Sequence, residues 1–276
     1  MKAIVTAMIA SLHAMPTSTS EVVDEVLYGM TVKRIRDVNE GWVYIQTAYR
    51  YEGYCQKADL LVDEVLVSKW EREAQHIIFQ SFADVLQQPR IQSSKLVTLV
   101  RGSSICVVSE ENLPEEWSAV QLVTGQRGYV RTKWLQAKMT ERSVSEQQFR
   151  ENVVATALSY LGAPYRWGGK SPLGIDCSGL CSMAYLLNGV TIYRDAKIVE
   201  GFSIVKIARD QMQKGDLIYF PGHIALYMGD QLYVHSSIGG NEVSINSLEE
   251  NHPLYRHDLA TTILEVGTLF QEKLCN

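Results

Sequence analysis

The 276-residue chain lacks any apolar run near the roughly 20 residues that span a bilayer, so no membrane-spanning helix and no membrane partner is expected. It also lacks a block of basic residues. Its 26 Lys and Arg are scattered among 31 Asp and Glu, for a net charge of −5. Phosphate binding is driven by clustered Lys and Arg, so nucleic acid is excluded as a partner, and so is any anionic wall polymer held by charge alone. Cysteine is sparse. Cys55, Cys106, Cys177, Cys181 and Cys275 are odd in number and widely spaced, which is not a disulfide framework and fits a reducing compartment. What is present is ordinary for a folded chain: 46% hydrophobic and 21% charged residues, enough for several cores. At roughly 100–200 residues per domain, the length implies two or three of them.

A single Lys ahead of the apolar stretch Ile4–Ala10 has the outline of a weak export signal, but His13 falls where a cleavage site calls for small residues. The stretch also has a counterpart in mid-chain. At one fixed offset Ala10 falls on Ala83, Pro16 on Pro89, Ser20 on Ser93 and Gly29 on Gly102. At an offset two residues longer Trp42 falls on Trp117, Gln46 on Gln121, Gly53 on Gly128, Tyr54 on Tyr129 and Leu60 on Leu135. The repeat reads Ile4–Ala10 as a strand rather than a signal segment. It reads Ile77–Leu86, which alone would pass for a helix, as the matching strand. Alternating runs such as Trp42–Gln46 and Trp117–Leu122 are separated by turn residues at Asn39-Glu40-Gly41, Glu52-Gly53 and Gly125–Gly128, the pattern of small β-barrels. Residues 1–70 and 71–137 therefore form two units that resemble bacterial SH3-like domains, with Trp42, Trp117, Tyr54 and Tyr129 expected in their cores.

Beyond a connector at 137–145 the pattern changes, and residues 138–276 form a third unit. Gln147–Leu161 has helical periodicity through Phe149, Val153, Ala157 and Tyr160. The loop Tyr165-Arg166-Trp167-Gly168-Gly169 leads to Asp176-Cys177-Ser178-Gly179, after which an apolar segment runs to the stop at Asn188-Gly189. Cys177 is thus expected to open a helix, where the positive end of the dipole favours a thiolate. Strands at Gly215–Phe220 and His223–Met228 and a tight Gly229-Asp230 turn lead into Leu232–Ser236. This hairpin sets His223 and His235 side by side, and a bulge allows both to face one cleft. A cysteine, a histidine to take its proton and a second ring to orient the first form a nucleophile–base–orienter set.

Tyr165-x-Trp167-Gly168-Gly169, Asp176-Cys177-Ser178-Gly179, Gly215-Asp216-Leu217, His223–Tyr227 and His235, in that order, resemble the NlpC-type cysteine peptidases. The resemblance covers residues 140–276 and implies an α+β chain: a papain-like catalytic domain preceded by two small SH3-like β-barrels. The whole architecture is similar to a subgroup, the dipeptidyl-peptidase VI-like γ-D-glutamyl-L-diamino acid endopeptidases. By that resemblance the chain cleaves the γ-D-Glu–diamino acid bond of murein peptides with a free N-terminal L-Ala, releasing L-Ala-D-Glu. Cys177 is then the nucleophile, His223 the base, His235 its orienter, and Tyr165 a donor to the oxyanion. Asp176 and Ser178 contact the dipeptide backbone or its free carboxylate. Asp195, in Arg194-Asp195-Ala196, neutralises the free amino group, and Tyr51 and Glu21 close the cleft beyond the L-Ala. The second repeat carries Gln126 and Ser94 at the places of Tyr51 and Glu21.

No metal or organic cofactor is expected. A free L-Ala end arises only once the peptide has left its sugar, so a cytoplasmic enzyme of murein recycling is expected. The residues leave open whether the diamino acid is meso-diaminopimelate or L-Lys. Two other readings stand beside this one: a secreted wall hydrolase or wall binder targeted by its SH3-like pair, and a zinc-stabilised protein using Cys177, Cys181, His223 and His235, whose Cys-x-x-x-Cys falls within ligand spacing. Cys181, one turn from Cys177, is expected in the core, and His13, His76, His252 and His257 as surface or satisfied polar residues.

Overall fold

Buried and half-exposed residues alternate strictly along Trp42–Thr47, where every second side chain points inward. The computed structural model describes residues 1–39, 41–140 and 144–270; Cys275, Glu40 and part of the 137–145 connector lie outside them. The chain divides into two units, 1–138 and 139–276.

In the first unit, β1 (Lys2–Val5), β2 (Ile9–His13), β3 (Val22–Leu27), β4 (Thr31–Asp37), β5 (Trp42–Thr47), β6 (Glu52–Gln56) and β7 (Leu60–Leu61) form one antiparallel sheet, in the order β3-β2-β6-β5-β4-β1-β7. After a helix, α1 (Glu64–Glu73), come β8 (His76–Ile78), β9 (Phe82–Leu86), β10 (Lys95–Val100), β11 (Ser104–Val107), β12 (Trp117–Gln121), β13 (Arg127–Arg131) and β14 (Leu135–Ala137). Their order, β10-β9-β13-β12-β11-β8-β14, repeats the first sheet strand for strand. The paired glycines of the repeat have a packing reason. A Cβ on Gly53 would come within 3.1 Å of Leu12, and one on Gly128 within 2.5 Å of Val85, the residue matching Leu12.

Three expectations are corrected. Ile4–Ala10 and Ile77–Leu86 are each two strands, because the chain changes partners at the intervening corner: β1 pairs with β4 and β7, β2 with β3 and β6. Of the four repeat aromatics only Trp117 is buried. Gly53 and Cys55 point inward, so Tyr54 between them must point out, where it meets Tyr44; Tyr129 between Gly128 and Val130 does likewise and donates its hydroxyl to Glu110. Helix α1 spans the expected 70/71 boundary. Asp63 caps it, accepting the Val65 and Leu66 N–H groups at 2.9 and 3.0 Å. Its Trp70 donates to the Gly29 carbonyl at 2.8 Å and lies edge-on to Tyr28. Ile4, Tyr28 and Trp70 share one core with Ile105, Val120 and Leu122, so the two sheets pack as one body.

The second unit packs α2 (Glu146–Leu158), capped by Ser145, beside α3 (Cys177–Leu186). A small hairpin, β15 (Lys170–Ser171) and β16 (Gly174–Ile175), precedes α3. Then follow β17 (Val205–Ile207), β18 (Leu217–Phe220), β19 (His223–Gly229), β20 (Leu232–Ser237), β21 (Glu242–Ser247), α4 (His257–Ala260) and β22 (Glu265–Thr268), forming a sheet in the order β17-β22-β18-β19-β20-β21. Asp216, at the start of β18, accepts from Arg150 of α2 at 2.7 Å, from Thr268 at 2.6 Å and from the Gln213 N–H at 2.8 Å. Arg150 and Asp216 are buried. Among the described residues no helix is long and apolar enough to cross a membrane.

Candidate active site

The nucleophile candidate opens α3, as the sequence implies. Asp176 is the N-cap, accepting the Gly179 N–H at 2.6 Å. The same carboxylate accepts the Gly168 N–H at 2.8 Å, which ties the Tyr165–Gly169 loop to the helix start. The small residues of these motifs permit that closeness: a Cβ on Gly179 would lie 2.2 Å from the Gly169 carbonyl oxygen. Cys177 stands at the first helical position, so its N–H has no intrahelical acceptor and remains available to a ligand.

Arg194, 1% exposed, closes this hub. It donates to both Asp176 oxygens, at 3.0 and 2.9 Å, and to Ser178 Oγ at 2.6 Å. Asp176 was expected to touch substrate. With two backbone donors, two from Arg194 and a longer one from Ser178 at 3.3 Å, it exceeds the roughly four lone-pair sites of a carboxylate. It builds the helix start instead. Ser178, whose oxygen is taken by a guanidinium donor, turns its one hydroxyl proton to Asp176 at 3.3 Å, a long bond to a crowded acceptor that a substrate carboxylate can replace.

His223 starts β19 and His235 lies in β20. At the turn Gly229 pairs with Leu232; past a bulge Leu226 pairs with Val234, one residue out of step with the turn register. Without that shift His235 would lie opposite Leu226, on the other face from His223. With it, His223 Nε2 and His235 Nδ1 are 2.8 Å apart. Ser236 donates to the Ile175 carbonyl at 2.7 Å, fastening this strand to the residue before Asp176. The Ile224 and Ser178 N–H groups face the Cys177 sulfur, so the start of β19, which carries His223, lies against the thiol.

Burial dominates the electrostatics. It pushes the Cys177 thiol up to about 11, with the Asp176 charge adding to it and the backbone N–H groups opposing. This is opposite to the direction that helix-start placement alone predicts: a thiol 8% exposed loses more in hydration than the dipole returns. Burial likewise lowers His223 to about 3, with His235 adding to it, and His235 to about 4. The resting pair is thiol and neutral imidazole. Tyr165 is raised to about 12 by burial and then by the nearby Cys177 and Asp176 charges, so it stays a donor.

Asp195 is half-buried beside Arg194, and its carboxylate has no partner among the described residues. Glu21 and Tyr51 lie on the β2–β3 and β5–β6 loops, at the same end of the first sheet, where His13 pairs with Tyr54. Cys181 is fully buried, as expected, and Cys55 and Cys106 are buried thiols. The zinc reading fails on geometry. Both His235 nitrogens are engaged, one with His223 and one with Asn246, and among the described residues no three His, Cys, Asp or Glu converge as a ligand set. Sequence reasoning missed Arg194, whose signal was a lone cation beside Asp195, and Asn246, which alternates with Ile245 on the face of β21 that His235 shares.

A cysteine at a helix start against an antiparallel sheet bearing two bonded histidines defines a papain-like cysteine peptidase. Comparison with known proteins gives the particular family. The NlpC/P60 family model matches residues 162–261 and a bacterial SH3 domain model residues 10–61. Dipeptidyl-peptidase 6 of Lysinibacillus sphaericus is 61% identical over 98% of this chain and 100% of its own. A gamma-D-glutamyl-L-lysine dipeptidyl-peptidase of Bacillus cereus is 29% identical over 69% of this chain and 62% of its own. The crystal structure of an NlpC/P60 family protein from Bacillus cereus superposes with a TM-score of 0.80 at 21% identity, covering 96% of this chain and 98% of that one; at that identity it speaks for the fold. The chain belongs to the NlpC/P60 family of cysteine peptidases.

Proposed function

We propose that the chain hydrolyses the γ-D-Glu–diamino acid bond of peptidoglycan-derived peptides bearing a free N-terminal L-Ala. The carrying observation is the 2.8 Å His223–His235 bond beside Cys177 at the first turn of α3; the 61% identity to dipeptidyl-peptidase 6 supports the substrate class. His223 uses Nε2 toward His235, leaving Nδ1 for the thiol. His223 takes the thiol proton as the sulfur attacks the scissile carbonyl carbon. The oxyanion that forms is held by the Cys177 N–H and the Tyr165 hydroxyl. The imidazolium gives its proton to the departing amine, leaving a thioester. Water, deprotonated by His223, then opens the thioester, and the thiol recovers its proton. Ser178 offers its proton to the free carboxylate of the γ-linked residue. Asp195 accepts the free ammonium.

A cytoplasmic recycling role follows within this proposal, because such free ends appear after the peptide leaves its sugar; recovery of the native protein in the secreted fraction would count against it. The direct test is cleavage of L-Ala-γ-D-Glu-meso-diaminopimelate and of its N-acetyl form by the wild type and Cys177→Ala. Release of L-Ala-D-Glu from the free peptide alone, lost in the variant, is expected. Equal cleavage of both peptides would favour a wall hydrolase, and cleavage surviving in Cys177→Ala would remove the assigned nucleophile. Running the L-Lys peptide in parallel decides the diamino acid.

A further inference from the structure

We infer that Asn246 is a positioning residue that fixes the protons of the His223–His235 pair, and that its own orientation is set by a backbone carbonyl. The inference rests on the reading of Cys177, His223 and His235 as the reacting groups.

A chain of hydrogen bonds starts at Leu254. Its carbonyl oxygen only accepts, and it takes the Ser247 N–H at 2.9 Å and Asn246 Nδ2 at 3.0 Å. The amide of Asn246 therefore presents its NH2 to Leu254 and its oxygen away from it. That oxygen lies 2.8 Å from His235 Nε2. Since the oxygen only accepts, Nε2 of His235 must carry the proton. In the neutral ring Nδ1 is then an acceptor, and the group 2.8 Å away, His223 Nε2, must be the donor. A neutral His223 protonated at Nε2 has its lone pair on Nδ1, the nitrogen left for the thiol. Four links from one main-chain carbonyl thus place a base toward Cys177. Remove the Asn246 oxygen and His235 is free to hold its proton on Nδ1. His223 then turns its lone pair toward His235 and its N–H toward the thiol, and the base faces the wrong way.

Loss of an outer partner of this kind lowers activity by roughly 10–100-fold where it orients metal-bound histidines, and the same range is expected in kcat here, with KM little changed. Asn246→Asp separates positioning from mere packing. It gives up the bond to Leu254 but keeps an acceptor for His235 Nε2 whichever way it turns, so the protons stay in place, and its charge favours an imidazolium. The charged groups facing the pair are Arg256 and Asp258, and the rings against it are Phe220 at His223 and Tyr233, edge-on to His235.

The experiment uses the full chain. Steady-state kinetics on the free peptide are compared for wild type, Asn246→Ala and Asn246→Asp, with Cys177→Ala as the dead control. The expected result is a kcat loss in Asn246→Ala, and in Asn246→Asp a recovered kcat at high pH with the acid limb moved upward. Nitrogen-15 NMR of the histidines in Cys177→Ala, which needs no activity, should show both rings protonated at Nε2, and Asn246→Ala in that background should abolish the pattern at His235. Full activity in Asn246→Ala, equal losses in both variants with no shift of the acid limb, or Nδ1 protonation at His235 with Asn246 intact would overturn the inference. Retained cleavage by Cys177→Ala would instead overturn the assignment of the nucleophile. Should Asn246→Ala fail to fold, the NMR tautomers of Cys177→Ala still decide.

Discussion

Cys177 is pulled in two directions, by a helix start that favours sulfur as an anion and by burial that disfavours it. Burial prevails, and with both histidines held below their ordinary range the site rests without charge on either reacting group. This has a kinetic sign. His223 must be unprotonated to accept the thiol proton, and a base whose folded value is depressed stays competent as pH falls through the ordinary histidine range near 6.5. The acid limb of kcat/KM should therefore lie below pH 6; a limb centred between 6.5 and 7 would show a solvated histidine instead. Asp195 offers the second test at this scale. An unpaired, half-buried carboxylate suits an ammonium, and removing one partner of a close charge pair costs on the order of 2–5 kcal/mol. Because Asp195 is only half-buried, the lower end applies. Asp195→Ala should lose that much in kcat/KM on the free-amine peptide and little on the N-acetyl peptide, and equal losses on both would remove its role. The nucleophile and both histidines were legible because each sits in a short motif whose chemistry needs neighbours in order. Arg194 and Asn246 were not: their partners are distant in the chain and only the fold brings them together.

At the scale of elements, Gly215-Asp216-Leu217 shows a motif that matters for architecture rather than reaction. Asp216 joins α2, β18 and β22 through Arg150 and Thr268. Breaking a buried pair by deleting one partner leaves the other charge uncompensated, at about 3–5 kcal/mol. Asp216→Ala should lower the unfolding free energy of the full chain by that amount in a urea titration, and a change under 1 kcal/mol would show the pair to be dispensable. The β19–β20 hairpin was readable from Gly229-Asp230, and the need for a bulge followed from putting two histidines twelve residues apart on one face. Where the bulge falls was not readable, since Tyr227 and Met228 carry no turn chemistry. Helix α1 escaped for another reason. Only Val67 and Trp70 of its ten residues are buried, so its apolar stripe is too narrow for periodicity to reveal, and Trp70 finds its place only against Gly29 and Tyr28 of the first sheet.

For the whole molecule, the internal repeat was visible from single residues at constant offsets, and the matching strand orders explain why those residues recur: they are the glycines, corners and inward positions that one topology needs twice. Among the positions where the copies differ are loop tips. Glu21 and Tyr51 stand on two loops at one end of the first sheet, while the second copy has Ser94 and Gln126 in their places. A duplicated scaffold with different tips on its two copies points to a task carried by one of them. Converting the first copy to the second, by Glu21→Ser and Tyr51→Gln, alters residues outside the core, so the fold should persist by circular dichroism. If these side chains help recognise the free end of the peptide, each substitution removes an interaction of about 1 kcal/mol, a several-fold change. The ratio of kcat/KM on free and N-acetyl peptides should fall accordingly. The converse substitutions, Ser94→Glu and Gln126→Tyr, should leave that ratio where it was. An unchanged ratio in the first pair would confine selectivity to the unit that carries Cys177, with Asp195 as its determinant.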